Sequence, residues 1–321
     1  MLNRSAGVEF VGLYASFPVG EPTRRVGILK AILDLEGEPE FKRIKYGQLL
    51  GRLHTVTFSE EKLGDVLRSL ETGESDYLQL FPYRVGEDWV QSFKASISVN
   101  FQSGISRPHK RAPSPIDSKF GDAGTVNVLY PQPRFVFDSE SDFQTRLLRK
   151  IKELFVMEKM NWAFVNRGFH FIHPTSVGTD DIFQTTKVGF PITAFDADLN
   201  SHGIFFREFV KGAFWANFLN PLHVAKLGGL DLVKGSKACS VIQELEGGRV
   251  LLQVGPSPLT RDEAKATGEY QRLRTYLQPI LMETGSDLMR IQREILGSWR
   301  PPRDAEENFK KLMGEMKRKA D

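Results

Sequence analysis

Strand-like runs in this chain come several at a time before the next helical stripe, and that order favours α+β over the regular alternation of a doubly wound parallel sheet. Val8 to Ser16 reads as a strand, and Pro22 opens a segment with Val26, Leu29, Ile32 and Leu33 at helical spacing. Leu53 to Phe58 is a short strand. Ser59 then stands where a helix cap belongs, Glu60 and Glu61 suit the positive end of the helix, and Leu63, Val66, Leu67 and Leu70 form one stripe that Gly73 ends. Two further strands are expected at Asp76 to Tyr83 and Val90 to Phe101, the second alternating through Phe93, Ala95, Ile97, Val99 and Phe101.

Beyond this point the pattern changes and resumes. Gln102 to Gly124 has prolines and basic residues but no apolar period, and reads as a surface loop or link. Thr125 to Tyr130 is a strand, and Ser139 to Met160 is the strongest helix, with Leu147, Leu148, Ile151, Leu154 and Phe155 on one face. Asn161 to His173 and Gly203 to Trp215 are aromatic and are expected to be central strands. Asn220-Pro221 is a cap followed by proline at the first helical position, and Gly228-Gly229 stops that helix. A hairpin is expected around Gly247-Gly248, between Ala238 to Leu245 and Arg249 to Val254. Thr260-Arg-Asp-Glu263 has the form of a capping box launching a helix through Leu273, Tyr276 and Leu277, and another helical segment covers Ser286 to Leu296. The class expected is α+β, with largely antiparallel sheets, flanking helices and an element order compatible with two similar halves. Its parts are an N-terminal half (1–101), a link (102–124), a C-terminal half (125–299) and a charged tail (300–321).

Composition narrows the function classes. The chain has 321 residues, 40% of them hydrophobic and 26% charged, enough to bury a core without metals or disulfides. No window approaches the roughly 18 to 20 apolar residues of a membrane span. The first dozen residues lack the pattern of a secretory leader, so a cytoplasmic location is expected. The single cysteine, Cys239, sits in an apolar context and reads as a small core residue, not a nucleophile. A net charge of +3 against 43 basic and 40 acidic side chains neither demands a nucleic acid nor forbids one.

The usual catalytic signatures are absent: no phosphate-binding glycine loop, no nucleophile elbow and no His-Glu-x-x-His helix. His170 and His173 are three apart on a strand and face opposite ways, so they do not share a metal. Asp196 and Asp198 would share a face if extended, with Asp180 and Asp181 upstream; such pairs can hold a cation or divide acid and base roles, but no third ligand has a defined place. The loop carrying Arg107, His109, Lys110 and Arg111 could touch phosphates, yet it lacks the interleaved aromatics of a single-strand platform. Two alternatives to a non-catalytic binding protein therefore stand: a metal-assisted hydrolase or transferase using Asp196 and Asp198, and a nucleic-acid binder using the 106–111 loop.

The most specific text is Gly212-Ala-Phe-Trp215-Ala-Asn-Phe-Leu219-Asn-Pro-Leu-His-Val-Ala-Lys-Leu227-Gly-Gly229, then Gly247-Gly248, Leu252-Gln-Val-Gly-Pro-Ser-Pro258, and Tyr270 with Leu277-Gln-Pro279. In this order it resembles the bacterial type VI secretion immunity proteins, the group that includes those paired with VRR-type nuclease effectors. Val11-Gly-Leu-Tyr14 resembles the family's opening strand. The resemblance implies a protein that binds and blocks a cognate effector toxin without catalysis or cofactor; the missing leader adds that such a toxin acts in the cytoplasm, where a nuclease fits better than a wall or membrane toxin. No membrane partner is expected from the hydropathy, and no direct contact with nucleic acid from the loop that lacks a stacking platform. The motif itself reads as core: Trp215, Phe218 and Leu219 are expected inside. Arg107, His109, Lys110, Arg111, Asp180 and Asp181 are the charged loop residues expected to meet the partner.

Overall fold

The computed structural model describes residues 7–18, 22–34, 41–48, 51–81, 98–102, 123–131, 140–171, 203–258, 268–282 and 285–297. Ten strands form one sheet: β1 (Gly7–Pro18), β2 (Arg43–Gly47), β3 (Leu53–Thr57), β4 (Tyr77–Phe81), β5 (Ser98–Gln102), β6 (Ala123–Pro131), β7 (Trp162–Phe171), β8 (Ala216–Leu219), β9 (Val241–Leu245) and β10 (Arg249–Gln253). Their order across the sheet is β3-β2-β4-β5-β6-β1-β7-β8-β10-β9, and every neighbouring pair is antiparallel. The described helices are α1 (Pro22–Leu33), α2 (Glu60–Thr72), α3 (Glu140–Met157), α4 (Pro221–Lys226), α5 (Leu230–Gly235), α6 (Glu269–Leu277) and α7 (Gly285–Leu296). The α+β class is borne out.

Register divides the residues between two faces. Ile44, Leu80, Val128, Leu13 and Val165 fall on one side, in line with Ala15, Ala163, Phe218 and Leu251 two residues along. Helix α3 covers this side: Leu147, Ile151, Leu154 and Phe155 are buried, and the Phe155 ring meets Phe218 at 5.5 Å between centroids. The Arg24 guanidinium of α1 is paired with Glu158 just beyond α3, and α2 lies alongside α1. On the other side Tyr14, Trp162 and Phe164 meet Phe206 and Phe214: Trp162 lies 4.8 Å from Phe206, and Phe164 stacks on Phe214 at 3.8 Å.

Local chemistry explains most boundaries. Ser59 accepts from Lys62 N–H at 3.2 Å at the start of α2, and Gly73 ends that helix with φ 79°. Three elements escape the sequence reading, β8 (Ala216–Leu219) among them because the strand expected there ends at Trp215. Strand β2 interrupts its apolar residues with Arg43 and Lys45, and α5 is six residues long, too short to show a period. The expected strand over Gly203 to Trp215 is instead a 3₁₀ turn (Gly203–Arg207) and an irregular segment with one bridge, Val210 to Leu281, before β8 begins at Ala216. The backbone of this segment finds bonds outside the sheet ladder, Val210 N–H donating to the Ile280 carbonyl at 2.8 Å. Phe205 and Phe206 are both buried, which a tight turn against one face achieves, and Trp215 N–H donates to the Asn166 side chain at 2.8 Å. The helix expected from Thr260 begins, as described, at Glu269 after Gly268 with φ 63°; Thr260 to Glu263 and the tail 300–321 lie outside the described residues.

The turn joining β2 to β3 depends on glycine. Gly47 has φ +135°, and a Cβ there would stand 2.3 Å from the Arg52 carbonyl oxygen. Gly47→Ala is therefore expected to cost at least about 2 kcal/mol, from backbone strain and from displacement of the turn. Urea unfolding would measure it, and a loss below about 0.5 kcal/mol would show that the turn yields freely.

Candidate partner-binding surface

The charged loop residues singled out in the sequence, Arg107, His109, Lys110, Arg111, Asp180 and Asp181, lie outside the described residues, as do Asp196, Asp198 and His173. His170 is on β7, opposite Val8 of β1. Cys239 is half-buried just before β9. Burial pushes its thiol up to about 11, and Sγ donates to the Val241 carbonyl at 3.2 Å, so at neutral pH it is a poor nucleophile. Among the described residues no three His, Cys, Asp or Glu side chains converge on a possible metal position. No described helix is long and apolar enough to cross a membrane.

What the described chain does contain is a set of buried polar clamps holding the segment from 203 onward against the sheet. Asn166 of β7 is 2% exposed, and its Oδ1 accepts from Trp215 N–H at 2.8 Å and from the Tyr270 hydroxyl of α6 at 3.4 Å. Asn220 is the second clamp. Its Oδ1 accepts from His223 N–H at 3.0 Å while its Nδ2 donates to the carbonyls of Asn161 at 2.7 Å and Arg207 at 2.8 Å. One side chain thus caps α4 and ties it to the start of β7 and to the 3₁₀ turn. His223 completes the cap by accepting from Asn220 N–H through Nδ1 at 3.3 Å, which places its proton on Nε2. Burial, reinforced by Lys226, holds this imidazole down to about 3 against the opposing pull of the Phe209 and Phe206 carbonyls.

The aromatic motif is consumed by the core: Trp215, Phe218 and Leu219 are each fully buried, as expected from the sequence. What it leaves outside is a helical elbow. Helix α4 ends as Gly229 N–H bonds to the Val224 carbonyl at 2.9 Å, Gly228 and Gly229 take φ of 97° and 99°, and α5 starts at once in a new direction. A Cβ on Gly228 would meet Leu232 Cδ1 at 2.5 Å, so the glycine lets Leu232 fold over the elbow while staying 64% exposed. Leu222 of α4 and Val241 of β9 are also exposed large hydrophobic side chains, and Lys226 of α4 and Lys234 of α5 form ion pairs with Glu208 and Glu244. A braced surface with apolar points between charges can bind a protein.

Residues 181–296 match the family model described as TsiV, type VI immunity for VRR-NUC, so the resemblance read from the sequence is borne out over that span. The matched family is a type VI immunity family. No curated protein sequence matches the chain. Among solved structures, the Pseudomonas aeruginosa T6SS protein PA0821 is similar in fold with a TM-score of 0.62 at 15% identity, over 87% of this chain and 74% of that one. The likeness of fold therefore extends well beyond the matched family segment.

Two expectations follow from the clamps and the core. Trp215→Ala should cost about 3 to 5 kcal/mol, read from denaturant midpoints; a variant of full stability that loses partner binding would place Trp215 in an interface instead. For His223, the unfolded ring titrates at its ordinary value while the folded ring stays neutral down to about 3. Between those values only the unfolded state takes up the proton, so stability is lost as pH falls, by about 1.4 kcal/mol per pH unit. Urea unfolding at about pH 7 and pH 5 should show roughly 2 kcal/mol more acid loss in the wild type than in His223→Gln.

Proposed function

We propose that this chain is an immunity protein that binds and neutralises a cognate antibacterial effector toxin acting in the cytoplasm, by stoichiometric association and without catalysis of its own. The observation that carries this reading is the match of residues 181–296 to a type VI immunity family. That family's description pairs it with VRR-NUC, and a nuclease finds its substrate in the cytoplasm, which favours a nuclease as the toxin. The elbow of α4 and α5 together with β9 lies within the matched segment, and we assign it the apolar anchor of the interface, through Leu222, Leu232 and Val241. Arg107, His109, Lys110, Arg111, Asp180 and Asp181 are proposed as further, charged contacts with the toxin.

Protection at low toxin levels requires high occupancy, hence a nanomolar or tighter complex, and an interface on the order of 1,600 Å². Co-expression with the toxin encoded beside this gene tests the reading. Cells should survive with the wild-type protein, and Leu232→Asp should weaken the purified complex at least about 100-fold while leaving the unfolding midpoint in place. If the toxin kills equally well with and without this protein, and no complex survives size-exclusion chromatography, the immunity reading fails for that pair.

A further inference from the structure

The two ends of the sheet are finished differently. At one end β9 is guarded: α5 lies beside it, Lys234 pairs with Glu244 on the strand, and Ser240 N–H just before it is held by the Glu269 carboxylate of α6 at 2.6 Å. At the other end β3 pairs, among the described residues, with β2 alone. Its sequence, Leu53-His-Thr-Val-Thr57, contains none of the lysines, carboxylates, prolines or bulges with which edge strands are commonly blunted. His54, Thr55 and Thr57 are exposed.

The hydrogen bonds of β2 fix which backbone groups this edge presents. Phe58 N–H bonds to the Lys42 carbonyl at 2.9 Å and Gln48 N–H to the Arg52 carbonyl at 3.3 Å, so the even-numbered residues of β3 turn their backbone inward. Leu53, Thr55 and Thr57 consequently direct their N–H and C=O groups outward, and among the described residues nothing pairs with them.

We propose that β3 is a self-association edge at which a second copy of this chain adds antiparallel, with Thr55 on the two-fold axis, making one continuous sheet across both copies. The register is self-complementary. Thr55 exchanges backbone bonds with the partner's Thr55, and Leu53 exchanges them with the partner's Thr57. A threonine faces a threonine across the axis, a favourable cross-strand pair, and no charge on the strand meets its like. The flanks match as well. Arg52 precedes the strand, while Glu60 and Glu61 open α2 just after it; all three are exposed and form no ion pair among the described residues. Antiparallel pairing carries the Arg52 of each copy toward the acidic turn of the other. A short edge of this kind gives a weak dimer, so toxin binding and self-association are separable properties.

The test is sedimentation velocity on the full chain from about 1 to 500 µM. The wild type should move from monomer to dimer within that range. Thr55→Pro removes an outward N–H without touching the bonds to β2, and should weaken the dimer at least about 30-fold with the unfolding midpoint retained. If Thr55→Pro does not fold, Thr55→Lys, which sets like charges at the axis, should give the same loss. Arg52→Glu should weaken the dimer several-fold, and Arg52→Glu combined with Glu60→Arg should restore it. A wild type that stays monomeric throughout overturns the proposal, as does a dimer indifferent to a folded Thr55→Pro or Thr55→Lys. A folded Thr55 variant that loses only toxin binding also overturns it, assigning the edge to the toxin instead.

Discussion

The middle of the sheet is covered on both sides, and the remaining architecture is arranged around that requirement. Leu13, Tyr14 and Ala15 on β1, Trp162 to Val165 on β7 and Ala216 to Leu219 on β8 are all buried, so neither face of these strands tolerates water. An antiparallel sheet can leave one face wet, and burial of both demands two layers of cover. Helices α1 and α3 provide one. The irregular segment from Gly203 to Trp215, with α6 reaching Asn166, provides the other. This second layer has few backbone bonds of its own to spare, which is why asparagine side chains hold it.

Those asparagines link packing to the proposed interface. Asn166 and Asn220 are buried, each bonded to two or more backbone or side-chain groups from separate elements, and losing either would leave buried polar groups without partners. Through Asn220 the position of α4 is set by the start of β7, and through Gly228-Gly229 the direction of α5 follows from α4. A surface whose side chains are placed this way loses little conformational freedom on binding, which favours tight association.

Much of this was legible in the sequence. The cap at Ser59, the stop at Gly73, the Asn220-Pro221 start and the double-glycine hairpin rest on chemistry within a few residues, and the structure reproduces each. The core positions of Trp215, Phe218 and Leu219 were also readable. Other features depend on partners far along the chain. Arg43 and Lys45 conceal β2 because only the sheet shows which face they join, and the aromatic run at 203–215 looks like a strand until Asn166 is seen taking the Trp215 N–H. Leu232 on the elbow carries no signal at all in sequence, since a leucine in a six-residue helix reads as core, and its exposure follows from the glycine beneath it.

The place of β1 has a bearing on synthesis. It is the first described strand to leave the ribosome, yet its two neighbours are β6 and β7, and β7 ends about 150 residues later. At about 5 to 20 residues per second, an apolar strand must wait roughly 8 to 30 seconds for both partners. During that interval Phe10, Val11, Leu13, Tyr14 and Phe17 have no sheet to enter, and a nascent chain in this condition is a client for a ribosome-associated chaperone. The yield of this protein in a cell should therefore depend on the supply of such helpers as well as on the stability of the finished fold.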